Sequence, residues 1–167
     1  MPKRLPERCR PDSIREFRLA ARERFKDGVS MIHVGRRTAA VYVFGYTVEM
    51  TLKAAYFKVL GFVQSQTIAI NHLHGAKAGA AALGVVWKGN NLHSIESWSD
   101  LLVATRASQP GWGYQDPALG KMVLETGRLV GQVWIETLRY RKNRAYPFEV
   151  NQVREAAEWF LFNSQQI

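Results

Sequence analysis

The sequence predicts an all-α protein, a bundle of five or six helices around one long central helix. Apolar residues recur at three- and four-residue spacing in several segments, which is typical of helices that bury one face. No segment alternates between apolar and polar residues for long enough to predict a strand. With 167 residues, the chain is long enough for one domain with a sizeable core and too short to expect two.

The segment AAVYVFGYTVEMTLKAAYFKVL, residues 39–60, predicts the central helix, which we expect to run from about Arg36 to Leu60 and to end at Gly61. It is apolar around most of its circumference, and such a helix is contacted from several sides. One apolar face consists of Val41, Phe44, Val48, Leu52, Ala55 and Val59. Charged residues inside the segment argue against a membrane span.

A polar row follows the same spacing on another face of this helix and consists of Tyr42, Tyr46, Glu49 and Lys53. Glu49 and Lys53 stand four residues apart in the favourable order for an ion pair. The sequence leaves open whether this pair is a half-exposed surface salt bridge or a buried one. Removing one partner of a buried pair typically costs about 3–5 kcal/mol, so a buried pair would specify an arrangement of the core.

The first part of the chain predicts an arm and one helix before the central helix. Three prolines mark residues 1–11 as a flexible basic arm, and one domain follows over residues 12–167. Asp12 or Ser13 can cap a first helix that runs to about Asp27 and ends at Gly28.

After the central helix, an alanine-rich stretch over residues 65–83 favours another helix, and residues 84–91 form a loop. Ser94 can cap a fourth helix over residues 95–104. Turn residues follow over residues 108–116.

Asp116 and Pro117 are a good helix start, and an apolar stripe predicts that this helix continues to about Arg139. A basic connection over residues 140–146 then leads to Pro147, the start of the last helix.

The net charge of +9 indicates an acidic partner, either nucleic acid or an acidic protein. Residues 1–37 hold eleven Lys and Arg against five Asp and Glu. A second cluster consists of Arg139, Arg141, Lys142 and Arg144. The simpler alternative is a solvated surface that keeps the protein soluble.

Other features exclude several classes of site. One cysteine, Cys9, allows no internal disulfide, and no apolar run precedes Ala39, so we expect a cytoplasmic protein without a secretory signal.

His72 and His74 lack the further ligands that zinc needs, so we predict no metal and no cofactor. His93 is either a capping or packing histidine or a base.

Aromatic side chains in the glycine-rich turn have two interpretations. Trp112 and Tyr114 can anchor the loop to the core, or they can stack on a nucleic-acid base.

The run from Arg24, RFKDGVSMIHVGRRTAAVYVFGYTVEMTLKAAYFKVLG, resembles the first helical hairpin of the HEPN family (higher eukaryotes and prokaryotes nucleotide-binding domains). WIETLRY at residues 134–140 and LHSI at residues 92–95 are similar to later segments of one subgroup. The resemblance covers about residues 24–160. It implies an all-α bundle that often forms homodimers, acts on RNA or nucleotides, and belongs to toxin–antitoxin or defence systems beside a nucleotidyltransferase.

The family's ribonuclease motif is incomplete in this chain. Active members carry an arginine followed, after four to six residues, by a histidine, and the two act without a metal. Counting from Arg139 the permitted positions hold Arg144, Ala145 and Tyr146, and counting from Arg141 they hold residues 146–148, none of which is histidine. Tyrosine, with a reference pKa near 10, is a poor base at neutral pH.

The sequence therefore predicts a HEPN-like protein that binds RNA or nucleotide without an intact ribonuclease site. The predicted binding residues are Tyr46, Glu49, Lys53, Arg139, Tyr140, Arg141 and Arg144. One alternative is a metal-independent endoribonuclease in which Arg139 meets His93 or His72 from elsewhere in a dimer, with Tyr146 as a further weak candidate. Another is a non-catalytic interaction module for an acidic protein. The simplest is that these polar residues only hold a helical core together.

Overall fold

The computed structural model describes residues 9–114 and 116–167, and within them it is all-helical. The six α-helices are α1 Ile14–His33, α2 Arg37–Val59, α3 Ile70–Gly79, α4 Ile95–Ser108, α5 Pro117–Val133 and α6 Pro147–Phe162, and the two 3₁₀ helices are Ala80–Leu83 and Glu136–Tyr140. No strand occurs among the described residues, so the predicted all-α bundle of five or six helices is confirmed. Most of the predicted arm, residues 1–8, lies outside the described residues.

Helix α2 is the centre of the bundle, as the sequence predicts. It contacts α1, α4, α5 and α6, and its ends agree with the predicted ones within one residue. All six residues of the predicted apolar face are at most 1% exposed. Gly61 follows the helix with φ +83°, a conformation that favours glycine at a helix end.

The predicted end of the first helix is wrong. Helix α1 passes through Gly28 and ends at His33, and Gly35, with φ +71°, makes the turn into α2. Gly28 is buried, and a Cβ there would lie 2.5 Å from the Phe44 ring. The glycine at position 28 therefore allows close approach of α1 to α2 and does not end the helix.

The predicted end of the fifth helix is also wrong. Helix α5 ends at Val133, and the backbone of Trp134 is extended. The Trp134 indole lies on α2, where a Cβ at Gly45 would overlap the ring, and its Nε1–H donates to the Tyr42 carbonyl at 2.9 Å. Because this interaction requires the chain to leave the helix, Arg139 lies on the 3₁₀ helix Glu136–Tyr140 and not on α5.

Three smaller predictions have clear outcomes. Helix α3 begins at Ile70, five residues later than the start of the alanine-rich stretch. The Ser94 hydroxyl caps α4 by accepting from the Ser97 N–H at 3.2 Å, as predicted, and α4 continues to Ser108. The Asp116 carboxylate caps α5 as predicted.

None of the helices in the described part of the chain combines the length and the apolar character needed to cross a membrane.

Candidate functional site

The polar row of α2 contains a buried ion pair. Glu49 is 2% exposed and Lys53 is 5% exposed, and the Lys53 ammonium pairs with the Glu49 carboxylate one helical turn away. The Lys53 Nζ also lies 5.4 Å from the centroid of the Trp98 ring, where its charge interacts with the π electrons. The pair, which the sequence left open, is therefore part of the core.

A histidine from outside the helix joins this pair. His93 lies just before the Ser94 cap of α4, and its Nδ1 is 3.0 Å and 3.1 Å from the two carboxylate oxygens of Glu49. A carboxylate accepts hydrogen bonds only, so Nδ1 carries the proton that it donates to Glu49. The His93 side chain is 37% exposed. This arrangement fixes the ring and leaves Nε2 as the nitrogen that can exchange a proton with a ligand.

Two tyrosines continue the row away from His93. The Tyr46 ring meets the rings of His93, Tyr42 and Trp134 edge-on, with centroid separations of 6.0, 4.9 and 5.3 Å. Burial, the hydrogen bond with Tyr42 and the charge of Glu49 all raise the pKa of Tyr46 well above its usual range. Tyr46 is therefore a neutral phenol at any physiological pH.

Arg139 lies at the far end of these tyrosines. The Tyr42 and Tyr140 side chains raise the pKa of Arg139, and its guanidinium lies 4.7 Å from the centroid of the Tyr140 ring. Arg139 is exposed. Tyr42 and Tyr46 lie between it and Glu49, a relation that the sequence alone does not establish.

A cleft of about 700 Å³ opens over the middle of the row. The lining of the cleft combines the buried Glu49–Lys53 pair and His93 with side chains from α1 and from the segment that precedes α1. Besides Tyr46, Glu49, Lys53 and His93, the lining includes Arg10, Arg15, Phe17, Met50 and Leu73. The cleft therefore offers an oriented histidine, a buried ion pair and apolar walls in one place.

A second site lies at the amino-terminal end of α2 and is built on the connection between α5 and α6. We call residues 139–146 the basic loop. A pocket of about 450 Å³ is lined by this loop, with Tyr140, Arg141, Lys142, Arg144, Ala145 and Tyr146 contributing.

The basic loop is held to α2 by side-chain hydrogen bonds. The Thr38 hydroxyl accepts from the backbone N–H groups of Arg144 and Ala145 at 2.7 and 2.8 Å. The Asn143 Oδ1 accepts from the Thr38 N–H at 3.0 Å, and its Nδ2 donates to the Gly35 carbonyl at 2.8 Å. The backbone of the loop is therefore fixed, although its charged side chains are exposed.

The exposed side chains of the loop are cationic and aromatic. Within residues 9–114 and 116–167, no salt bridge joins an acid to Arg139, Arg141, Lys142 or Arg144. Tyr140 is 74% exposed, and Tyr146 stacks on Phe148 with ring centroids 5.8 Å apart and planes 9° apart. The Glu149 carboxylate also lines the pocket, but it is occupied as the cap of α6, where it accepts from the Tyr146 N–H at 2.7 Å.

The predicted site residues thus fall into two groups. Tyr46, Glu49 and Lys53 lie in the cleft with His93, and Arg139 joins their row through Tyr42. The remaining predicted residues, Tyr140, Arg141 and Arg144, and the weak candidate Tyr146, line the loop pocket.

Sequence reasoning did not assign Tyr42 or Lys142 to the site. Their signals were the spacing of Tyr42 from Tyr46 and the position of Lys142 within the basic cluster. The pairing of His93 with Glu49, 44 positions apart, had no local signal.

Three other candidates from the sequence, His72, Trp112 and Tyr114, have local roles in the structure. The His72 Nδ1 accepts from the Ala69 N–H at 3.0 Å, so this ring caps α3. The guanidinium of Arg106 lies over the Tyr114 ring at 4.1 Å and is 5.9 Å from the Trp112 ring, so both aromatic residues interact with a cation of the protein itself. The described residues contain no group of three or more His, Cys, Asp or Glu side chains that could hold a metal ion.

No family model, no curated protein and no solved structure matches this chain.

Proposed function

We propose that this chain is a HEPN-like protein that binds single-stranded RNA through the basic loop. The observation that carries this proposal is that four cations, for which the described residues supply no acidic partner, share one fixed loop with two exposed tyrosines. Cations that neutralise phosphates supply most of the affinity for a nucleic acid, and exposed aromatic rings supply stacking platforms for bases. The resemblance of the first hairpin to HEPN domains supports the same conclusion.

The aromatic side chains favour a single strand over a duplex. Tyr140, Tyr146 and Phe148 are each more than 60% exposed. Bases inside a duplex are already stacked on one another, whereas unpaired bases can be splayed out onto such rings. Each base stacked on an aromatic side chain typically contributes about 1–3 kcal/mol to binding.

The test is retention of a labelled mixed-sequence single-stranded RNA in EDTA, measured at several salt concentrations. Changing Arg141 and Arg144 to alanine should weaken binding and reduce the salt slope by about 0.7 for each phosphate that is no longer neutralised. Arg128→Ala is the matched control, because Arg128 is an exposed arginine of α5 whose partner is Asp100. Equal affinity and equal salt slope in the double variant and the control would disprove the assignment of the loop.

A second candidate function is metal-independent RNA cleavage, favoured by the hydrogen bond between His93 and the buried Glu49. A histidine oriented by a carboxylate can accept the proton of a ribose 2′-hydroxyl as that oxygen attacks the adjacent phosphorus. Because Tyr42 and Tyr46 lie between Arg139 and His93 within one chain, the arginine that stabilises the negative charge developing on the phosphate would be Arg139 of a second copy in a dimer. The bond from phosphorus to the 5′-oxygen breaks, this oxygen takes a proton from solvent water, and His93 returns its proton to the solvent. The products are a 2′,3′-cyclic phosphate and a free 5′-hydroxyl.

The same EDTA incubation separates the two functions. Cleavage that is abolished in both His93→Ala and Arg139→Ala would establish the enzyme. Salt-sensitive retention of intact RNA would support binding alone.

A further inference from the structure

Three cations from three helices come together at the carboxyl-terminal end of the bundle's central helix. Lys58 lies in the last turn of α2, Arg106 lies in the last turn of α4, and Arg18 comes from α1. Lys58 and Arg106 donate to the carbonyls of two adjacent residues, Gln165 and Gln166. Burial, followed by the charges of Arg18 and Arg106, lowers the pKa of Lys58. We call these three residues the cation cluster.

The cluster contains buried hydrogen-bond donors for which the described residues supply no acceptor. Arg106 is 9% exposed, and its Nε finds no hydrogen-bond partner in the described part of the chain. The same holds for the buried Nε and Nη2 atoms of Arg18. A buried donor that makes no hydrogen bond loses the full free energy of its hydration, so such groups in native proteins usually have an acceptor in a bound ion or water.

The other donors of the cation cluster bind backbone carbonyls near the end of the chain and one glutamine side chain. Lys58 Nζ donates to the Gln165 carbonyl at 2.9 Å, and Arg106 Nη1 donates to the Gln166 carbonyl at 3.2 Å. Arg18 Nη1 donates to the Gln64 side chain at 3.3 Å. All three acceptors are neutral.

No acid neutralises the cluster within the described part of the chain. The salt bridges of residues 9–114 and 116–167 include none with Arg18, Lys58 or Arg106. The carboxyl ends of α2 and α4 favour nearby cations, which accounts for Lys58 and Arg106. This effect does not account for Arg18, which lies near the other end of α1.

We propose that the cation cluster binds a phosphate-type oxyanion. The planar guanidinium group presents several N–H donors in a fixed fork that matches phosphate oxygens, and Lys58 adds a charge that is reachable from solvent. Lys58 is 20 residues from Thr38, which is about 30 Å along a helix that rises about 1.5 Å per residue. The cluster is therefore a separate site from the basic loop, and it does not depend on the proposed RNA binding.

The experiment is thermal unfolding of the full chain during titration with sodium phosphate, with sodium chloride at matched ionic strength as the reference. The wild type should show a saturable rise of Tm in phosphate that chloride does not reproduce. Lys58→Met should weaken the apparent phosphate affinity about tenfold, the typical effect of losing one charged hydrogen bond. Lys121→Met, which removes an exposed lysine of α5, should leave the apparent phosphate affinity unchanged.

Two results would overturn the proposal: no phosphate-specific rise of Tm, or the same rise in Lys58→Met as in the wild type. Arg18→Gln is a second variant in case Lys58→Met unfolds.

A binding assay separates a free ion from an RNA phosphate as the source of the oxyanion. If the cluster holds an RNA phosphate, Lys58→Met should lower the salt slope of RNA retention, as the basic-loop variants should. If it holds a free ion, Lys58→Met should leave RNA retention unchanged.

Discussion

Replacing Lys53 by methionine should destabilise the protein far more than replacing an exposed lysine. The change keeps the length of the side chain but removes the ammonium that pairs with Glu49, a carboxylate only 2% exposed. Leaving one partner of a buried ion pair unmatched costs about 3–5 kcal/mol. The hydrogen bond from His93 offsets part of this cost, and removal of the buried cation–π interaction with Trp98 adds about 2 kcal/mol. We expect a decrease of about 3 kcal/mol in the free energy of unfolding.

The assay is urea unfolding followed by tryptophan fluorescence at 25 °C and neutral pH. For a domain of this size, a decrease of about 3 kcal/mol corresponds to a fall in Tm of about 6–12 °C. Glu49→Gln and the double variant complete a double-mutant cycle. The double variant should cost less than the sum of the two single changes, because neither charge then remains unpaired in the core.

The matched control is Lys121→Met. Lys121 also has a glutamate partner one turn away, but its side chain is 74% exposed, so the decrease should stay below about 0.5 kcal/mol. A Lys53→Met variant that is destabilised no more than this control would refute the reasoning. Strictly additive single changes would refute it as well, because they would mean that the two charges do not interact.

Two further predictions concern packing and pH. Gly45→Ala should destabilise the protein by about 1–3 kcal/mol, because the new methyl group overlaps the Trp134 indole. Gly75→Ala in α3, where the added methyl group meets open space, should be neutral or stabilise the protein by up to about 1 kcal/mol. Urea unfolding measures both changes, and equal effects would contradict the close approach of Trp134 to Gly45. Burial raises the pKa of Tyr114 to about 12, although the charge of Arg106 opposes the shift. The folded state therefore holds this proton more tightly than the unfolded chain, whose tyrosines ionise near pH 10, so stability should fall as pH rises between about 10 and 12. Tyr114→Phe should make that fall shallower, and an unchanged slope would contradict the shift.

The sequence predicted those parts of the fold that depend on local periodicity. The bounds of α2 and its buried face follow from spacing alone, and the same spacing placed Tyr46, Glu49 and Lys53 on one face. The ends of α1 and α5 were predicted wrongly because each depends on a tertiary interaction. In the sequence, Gly28 is typical of a helix end, but in the structure it makes room for the Phe44 ring. Trp134 fits the apolar stripe of α5 in the sequence, but in the structure its ring packs on Gly45 of α2.

The site shows the same division between local and distant signals. The basic cluster of residues 139–144 is visible in the sequence as a run of charges. The hydrogen bond of His93 with Glu49 and the attachment of the basic loop to Thr38 join residues 44 and more than 100 positions apart. Neither the type nor the spacing of nearby residues encodes such pairings.

The attachment of Asn143 to Thr38 has a consequence for the order of folding. The side chain of Arg36, the residue before α2, does not cap the helix, and the Thr38 N–H in the first turn instead donates to a side chain 105 positions later. During synthesis, the first turn of α2 therefore waits for residue 143 to leave the ribosome before this N–H finds its acceptor. One hydrogen bond at the beginning of the central helix, within the first quarter of the chain, thus depends on a residue from the last quarter.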